Sequence, residues 1–412
     1  MLLSYLAMIF VLVGLALYTV LGGADMGAGL WQLLAGRGPD AVHLRDHAHH
    51  SIGPVWEANH VWLIFVLTVL WTTYPTAFGS ILSTLSVPFF LAAIGIVFRG
   101  AAYALQSGTS VPRERRVIDT VFALSSILTP FALGAAVGGI ASRRVPVGNA
   151  AGNLITSWLN PTSILVGVLA VLVAAFLAAV YLSSDAVRIG EPDLARRFRA
   201  RAVGTGLITG AVSLVGLAVL RTDAPPLFDG LVHWPGLAAV ITSGLAGIAT
   251  LPLLWHQHPV LPRATAALAV AAIIAGWALA QQPVLLPGLT VAQAASPEST
   301  MVAVVIAVLA GAVILFPSLA LLFGLVLRGR FDPGAATPAQ HIPRPTHSAR
   351  GPLLRGWLAL GCLLLGAGLL VLGDSGWAHA AGVLCLAGFM VLGYLACAPS
   401  DIAADDPAQA SG

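Results

Sequence analysis

Eleven stretches of this chain stay apolar long enough to cross a hydrocarbon layer of about 30 Å, which takes about 20 helical residues. They fall at about 2–34, 54–73, 77–98, 117–141, 161–182, 202–221, 236–255, 264–282, 300–327, 354–373 and 377–397. Lipid offers no partner to a backbone N–H or C=O, so runs of this length fold as helices that satisfy their own hydrogen bonds. Composition agrees: 58% of the 412 residues are hydrophobic and only 9% charged, unlike a soluble domain. The expected fold class is an all-α polytopic membrane protein. Its opening, MLLSYLAMIF, has no basic n-region and runs on into more apolar sequence, so it is expected to be a retained first span rather than a signal peptide.

All 20 basic residues are arginine, and a formal charge of +3 is too small for nucleic-acid binding. Where they fall carries the information. Counted by alternate loops, 17 lie in one set (Arg37, Arg45, Arg99, Arg113 to Arg116, Arg188 to Arg201, Arg263 and Arg328 to Arg355), while Arg143, Arg144 and Arg221 make up the other. That bias predicts an N-terminus outside, the 36–53 loop in the cytoplasm and, with an odd number of spans, a cytoplasmic C-terminus. The Pro-rich stretch 331–353 reads as a cytoplasmic linker. It separates two bundles, 1–141 and 142–330, from a transmembrane hairpin at 354–397 and an acidic tail at 398–412.

Against this apolar background the stretch Ser51–Pro75, SIGPVWEANHVWLIFVLTVLWTTYP, stands out. It sets Glu57, Asn59 and His60 at the mouth of the second span, and a second carboxylate, Asp25, lies in the preceding one. Ionisable groups in a span are costly and mark function by default. The predicted topology turns both acids toward the cytoplasm. His60 follows Glu57 by one turn, so the pair can share a helix face and relay protons. The bland readings stay open beside this one: Glu57 as a solvated acid at a helix N-terminus, and Asp25 as a satisfied group in a packing seam, with Gly23 and Gly27 at GxxxG spacing. Trp56, Trp62 and Trp71 read as an interfacial belt, which Trp62 fits least.

Other features read as structural. HLRDHAHH (43–50) holds four histidines beside Asp46 but no cysteine, and is taken as a polar cytoplasmic turn rather than a metal site. Cys362, Cys385 and Cys397 read as small buried core residues. Asn160-Pro161 opens a helix, and EPDLARRFRARA (191–202) reads as a basic linker that fixes topology. Pro317 interrupts the ninth span, and Asp374 reads as a turn former. No His or Met pair faces its mate from the middle of separated spans, as two axial haem ligands would.

Two motifs give these residues a family context. GADMGAGLW in the first span resembles G-F-D-x-G-x-G-x-L, and PVWEANHVWLI, with Pro75 after it, resembles P-x-W-D-G-N-x-V-W-L-I, both from subunit II of the cytochrome bd quinol oxidases. Phe98-Arg99-Gly100, Leu159-Asn160-Pro161, Tyr181-Leu182 and Pro317 add to the likeness, which covers about residues 1–330. The resemblance implies about nine family-like transmembrane helices in two bundles, with the C-terminal hairpin as an addition. It implies a bacterial inner-membrane location and no redox cofactor in this chain, with haems b and d in a partner subunit I. A small single-span accessory subunit and a structural quinone or lipid are further expected associates. Asp25 and Glu57, with His60 and Asn59, are implied to form a proton route from the cytoplasm, and Trp62 matches a tryptophan associated with oxygen access.

The sequence departs from the pattern at four positions. Gly22 stands where the family often has a further Asp, Glu57 replaces Asp, and His60 and Ala58 replace the usual Gln or Glu and Gly. A secondary transporter and a purely structural scaffold are the alternative functions. Transporters carry polar groups near the midplane in both halves of a repeat, whereas the second half here is almost free of intramembrane charge.

Overall fold

The computed structural model describes residues 2–36, 38–52, 56–106, 112–256, 258–327, 350–372 and 375–397. Asp374 and the 398–412 tail lie outside them, as does nearly all of the 331–353 linker. The chain divides into two compact units, Met1–Arg328 and Gly329–Gly412. The first unit begins with α1 (Leu2–Leu17), a π-helical turn (Tyr18–Gly22) and α2 (Gly23–Leu33), followed by α3 (Pro39–Ile52), α4 (Trp56–Thr73) and α5 (Pro75–Thr84). Then come α6 (Ser86–Gln106), α7 (Pro112–Ala141), α8 (Pro161–Arg188), α9 (Pro192–Asp223), α10 (Pro225–Val232), α11 (Gly236–Trp255) and α12 (Leu261–Gln281). A hairpin of β1 (Val284–Leu286) and β2 (Leu289–Thr290) and the single turn α13 (Val291–Ala294) lead into α14 (Glu298–Leu327). The second unit contains α15 (Arg350–Leu372) and α16 (Gly376–Cys397) packed on each other.

Among the described residues, eight helices are long and apolar enough to cross a membrane, and 59–73, 357–366 and 380–389 are shorter apolar helices. The helices are inside-out by soluble standards: Leu214, Val313 and Ile314 are each more than 70% exposed, an arrangement suited to lipid. Proline sets many of the starts. It occupies the first turn of α5, α8, α9, α10 and α12, where its missing N–H costs nothing. At α8 the side chain of Asn160 accepts from the Ser163 N–H at 2.9 Å, so Asn160-Pro161 is the helix start that the sequence indicates.

Three segments differ from the sequence expectation. The third apolar run is two helices, broken at Leu85, because Pro88 cannot donate to the Thr84 carbonyl one turn back. The 191–202 segment is no linker: with no breaker after Pro192, it is the first third of the continuous 32-residue α9. The polar 43–50 turn is part of α3, which buries Ala41, Leu44, His47 and Ala48. The His47 Nε2 lies 3.1 Å from the Leu182 carbonyl, and its ring packs on Phe198. Burial pushes this imidazole below its ordinary value, against the opposing effect of its hydrogen bond to the Leu182 carbonyl.

The main core lies where α2, α8, α9 and α12 meet, around Trp31, Leu177, Val180, Phe198 and Ala266. Backbones approach closely there. A Cβ on Gly27 would sit 1.9 Å from the Ala174 carbonyl oxygen, so only glycine allows α2 to lie this near α8. Trp31 Nε1 donates to the Ala175 carbonyl at 2.9 Å and fixes the register of the two helices. In the second unit, Cys362 and Cys385 are half-buried rather than buried.

Candidate functional site

The polar centre of the first unit is built where the first span loses α-helical regularity. The π-helical turn Tyr18–Gly22 inserts an extra residue per turn, a device found mostly at functional sites. Directly after it, in the first turn of α2, comes Asp25, 2% exposed. Its partner is not in the Ser51–Pro75 stretch. Arg99, 2% exposed on α6, donates from Nη2 to Asp25 Oδ1 at 2.5 Å and to the Asp25 carbonyl at 3.2 Å.

Arg99 is held from α7 as well. Its Nη1 donates to Ser126 Oγ at 2.6 Å, and Ser126 in turn donates to the Phe122 carbonyl at 2.7 Å. The guanidinium also lies over the Phe122 ring, 4.4 Å from its centroid. Gly29 makes room: a Cβ there would meet Ser126 Oγ at 2.2 Å. Two atoms of the pair, Asp25 Oδ2 and Arg99 Nε, are buried with no hydrogen-bond partner among the described residues. So is the hydroxyl of Tyr18 on the π turn.

From the second span, Asn59 is 2% exposed and its amide donates to the Leu21 carbonyl in the π turn at 3.2 Å. His60 is half-buried, its ring edge-on to Tyr18 at 6.5 Å between centroids. Trp62 is 6% exposed and packs with Tyr18 and Met26, so it belongs to the interior and not to an interfacial belt. Trp71, 64% exposed and stacked on Phe78, suits the belt reading. Glu57 falls in the first turn of α4 by its backbone, and its side chain lies outside the described residues, as does that of Trp56. The structure thus gathers Asp25, Asn59, His60 and Trp62 around one π turn.

Sequence reasoning missed two charged partners. Alternate-loop counting places Arg99 in a loop because the apolar run ends at Phe98; yet Ala101, Ala102 and Tyr103 continue the helix, and a lone arginine inside such a helix needs an acid. Arg144, likewise taken for a loop charge, forks onto Asp223 at 2.9 and 2.6 Å. Asp223 also accepts from the N–H and hydroxyl of Thr162 at 3.0 and 2.6 Å, tying the ends of α7, α8 and α9 together. Among the described residues no cluster of three His, Cys, Asp or Glu could hold a metal.

The fold and this site define a class: a helical integral membrane protein whose described residues include a buried carboxylate–guanidinium pair at a broken first span. Residues 3–326 match the family described as cytochrome bd terminal oxidase subunit II, and the chain belongs to that family. It is similar, at 24% identity over 327 residues, to a Bacillus subtilis protein provisionally named cytochrome bd menaquinol oxidase subunit II; the match covers 76% of this chain and 92% of the relative. Cytochrome bd-I ubiquinol oxidase subunit 2 of Escherichia coli is 29% identical over 209 residues, 48% of this chain and 53% of that one. The solved structure of bd oxidase from Geobacillus thermodenitrificans contains a chain that superposes with a TM-score of 0.66 at 25% identity, covering 80% of this chain and 99% of that one. The chain is accordingly a bacterial membrane protein of the respiratory oxidases, and subunit II implies a subunit I.

Proposed function

We propose that this chain supports the oxidation of quinol coupled to reduction of oxygen to water, as the haem-free half of a bd-type terminal oxidase. Haems b and d are assigned to subunit I, and a structural quinone or lipid is the small molecule left to this chain. A single-span accessory subunit is compatible with this assembly. The arginine bias supports an N-terminus outside and a C-terminus in the cytoplasm.

Within that assembly we assign this chain a cytoplasmic proton inlet, with Glu57 at the mouth, His60 and Asn59 beside it and Asp25 as the deeper group. Trp62 is assigned to oxygen access. One observation carries the inlet: Asp25 Oδ1 is committed to Arg99, whereas Oδ2 is buried and unpartnered among the described residues, a position at which a proton or a water can be held. Arg99 also favours the structural reading. Protonating Asp25 would leave a buried guanidinium without its counter-charge, so a pair this closed can equally serve assembly alone.

Glu57→Gln in the assembled complex separates the readings, because it leaves the buried Asp25–Arg99 pair intact, whereas Asp25→Asn strands Arg99 and lowers stability on either reading. The inlet predicts that Glu57→Gln retains haem content while oxygen consumption falls. Haem content and oxygen consumption falling in parallel would leave only the structural reading, and no change in either would remove Glu57 from the mechanism.

A further inference from the structure

We infer that the hydroxyl of Tyr18 is the relay group that hands protons from His60 to Asp25 Oδ2. The inference rests on the inlet proposed above and adds to it a residue that lies outside both sequence motifs.

Tyr18 carries an oxygen that packing does not explain. It is 6% exposed, and its hydroxyl is buried with no hydrogen-bond partner among the described residues. Burying a hydroxyl that makes no bond is costly. The side chains around the ring, Met26, Trp62, Leu21 and Leu63 among them, are apolar and would suit a phenylalanine equally.

The position of the ring gives the oxygen a use. Tyr18 opens the π turn and reaches forward over residue 22: a Cβ there would meet Cε2 at 3.2 Å and Cζ, the carbon that bears the hydroxyl, at 3.7 Å. Glycine at 22 admits the ring, and Asp25 follows three positions later, in the first turn of α2. Asp25 and Arg99 both act electrostatically on the phenol. Arg99 holds Asp25 Oδ1, which leaves Oδ2 as the carboxylate oxygen with no hydrogen-bond partner among the described residues. From α4, the His60 ring stands edge-on to Tyr18, 6.5 Å between centroids. The phenol therefore has the imidazole of one helix and the carboxylate of the other as neighbours, and both are groups of the inlet.

The step leaves the phenol as it began. A proton from the His60 imidazolium forms a new O–H bond on the Tyr18 oxygen as the original hydroxyl proton leaves for Asp25 Oδ2, directly or across one water. The imidazole becomes neutral, the carboxylate becomes a carboxylic acid, and rotation about the C–O bond restores the starting arrangement. No electron moves.

The test compares Tyr18→Phe with Glu57→Gln in the assembled complex, reading oxygen consumption in light and heavy water together with haem content and the thermal midpoint. Phenylalanine keeps the ring and removes only an unbonded hydroxyl, so Tyr18→Phe should hold its haem and melt at or slightly above the wild-type temperature. Oxygen consumption is expected to fall roughly tenfold or more. The solvent deuterium isotope effect should rise, because proton delivery becomes the slow step. Unchanged consumption in Tyr18→Phe, where Glu57→Gln slows it, would overturn the relay and leave the inlet standing. Unchanged consumption in Glu57→Gln would remove the inlet and the relay with it. Consumption that falls in Tyr18→Phe only in step with haem, at an unaltered isotope effect, would make the hydroxyl structural and overturn the relay as well.

Discussion

Replacing Arg99 by Gln probes the pair at the centre of the bundle. The Asp25 and Arg99 side chains are 1% and 3% exposed, so the substitution leaves a carboxylate in a medium that cannot solvate it. Removing one member of a buried pair costs about 3–5 kcal/mol. At about 1.4 kcal/mol per tenfold, that shifts the folding equilibrium by roughly two to four decades. Asp25→Asn strands the guanidinium and should cost about as much. The double substitution Asp25→Asn/Arg99→Gln strands no charge, and two amides can bond to each other, so its cost should fall well below the sum of the single costs. The assay is a double-mutant cycle on the assembled complex, read as the temperature at which half survives heating by size-exclusion fluorescence. An Arg99→Gln complex as stable as wild type would refute the argument, and so would strictly additive single costs.

Three further outcomes follow from neighbouring contacts. Gly29→Ala places a methyl 2.2 Å from Ser126 Oγ and must displace the residue that anchors Arg99, costing about 1–3 kcal/mol in thermal stability; Gly210→Ala, with nothing within 4 Å, should be neutral or slightly stabilising in the same assay. Because burial lowers the His47 pKa, the unfolded chain binds the proton more readily, so stability should fall as pH drops through about 6.5 toward the lower folded value, by at most about 1.4 kcal/mol per unit. Thermal midpoints between pH 7.5 and 5.5 would show this slope, and His47→Gln should flatten it. Arg144→Lys keeps the charge but loses the fork onto Asp223; melting should drop nearly as far as for Arg144→Gln if the bidentate geometry matters, and the two should differ clearly if charge alone does.

The helical architecture was legible because hydropathy reports a single large term, the cost of exposing polar backbone to lipid. The limits of α4, α11, α12 and α14 fall within a few residues of the apolar runs for that reason. Polar segments are set by smaller terms. α3 has no apolar run, yet four of its residues are buried, because a polar helix can lie against a bundle through one narrow face. The π turn was equally hidden, since its residues Tyr18 to Gly22 are as apolar as their neighbours and the irregularity concerns hydrogen-bond register, which composition does not record.

The arginines show where the sequence reading reached its limit. Alternate-loop counting treats every Arg as a reporter of topology, although Arg99, Arg144, Arg201 and Arg263 each have specific neighbours in the fold. Asp25 was legible as an acid that needed explaining. Its partner was not, because the two are 74 positions apart and only the packing of α2 against α7, with α6 alongside, brings them together.

That pairing also bears on Gly22. A Cβ at this position would meet the Tyr18 ring at 3.2 Å, because the π turn folds the aromatic over residue 22. A carboxylate there would have to push aside a residue that packs with Met26 and Trp62 and whose own hydroxyl is already buried without a hydrogen-bond partner among the described residues. It would also change the charge balance. Asp25 and Arg99 cancel as they stand, and a second acid one turn away would need either a second cation or a permanent proton. Among the described residues, Arg99 is the one cation bonded to Asp25. A glycine at 22 therefore accommodates Tyr18 and adds no further charge beside the Asp25–Arg99 pair.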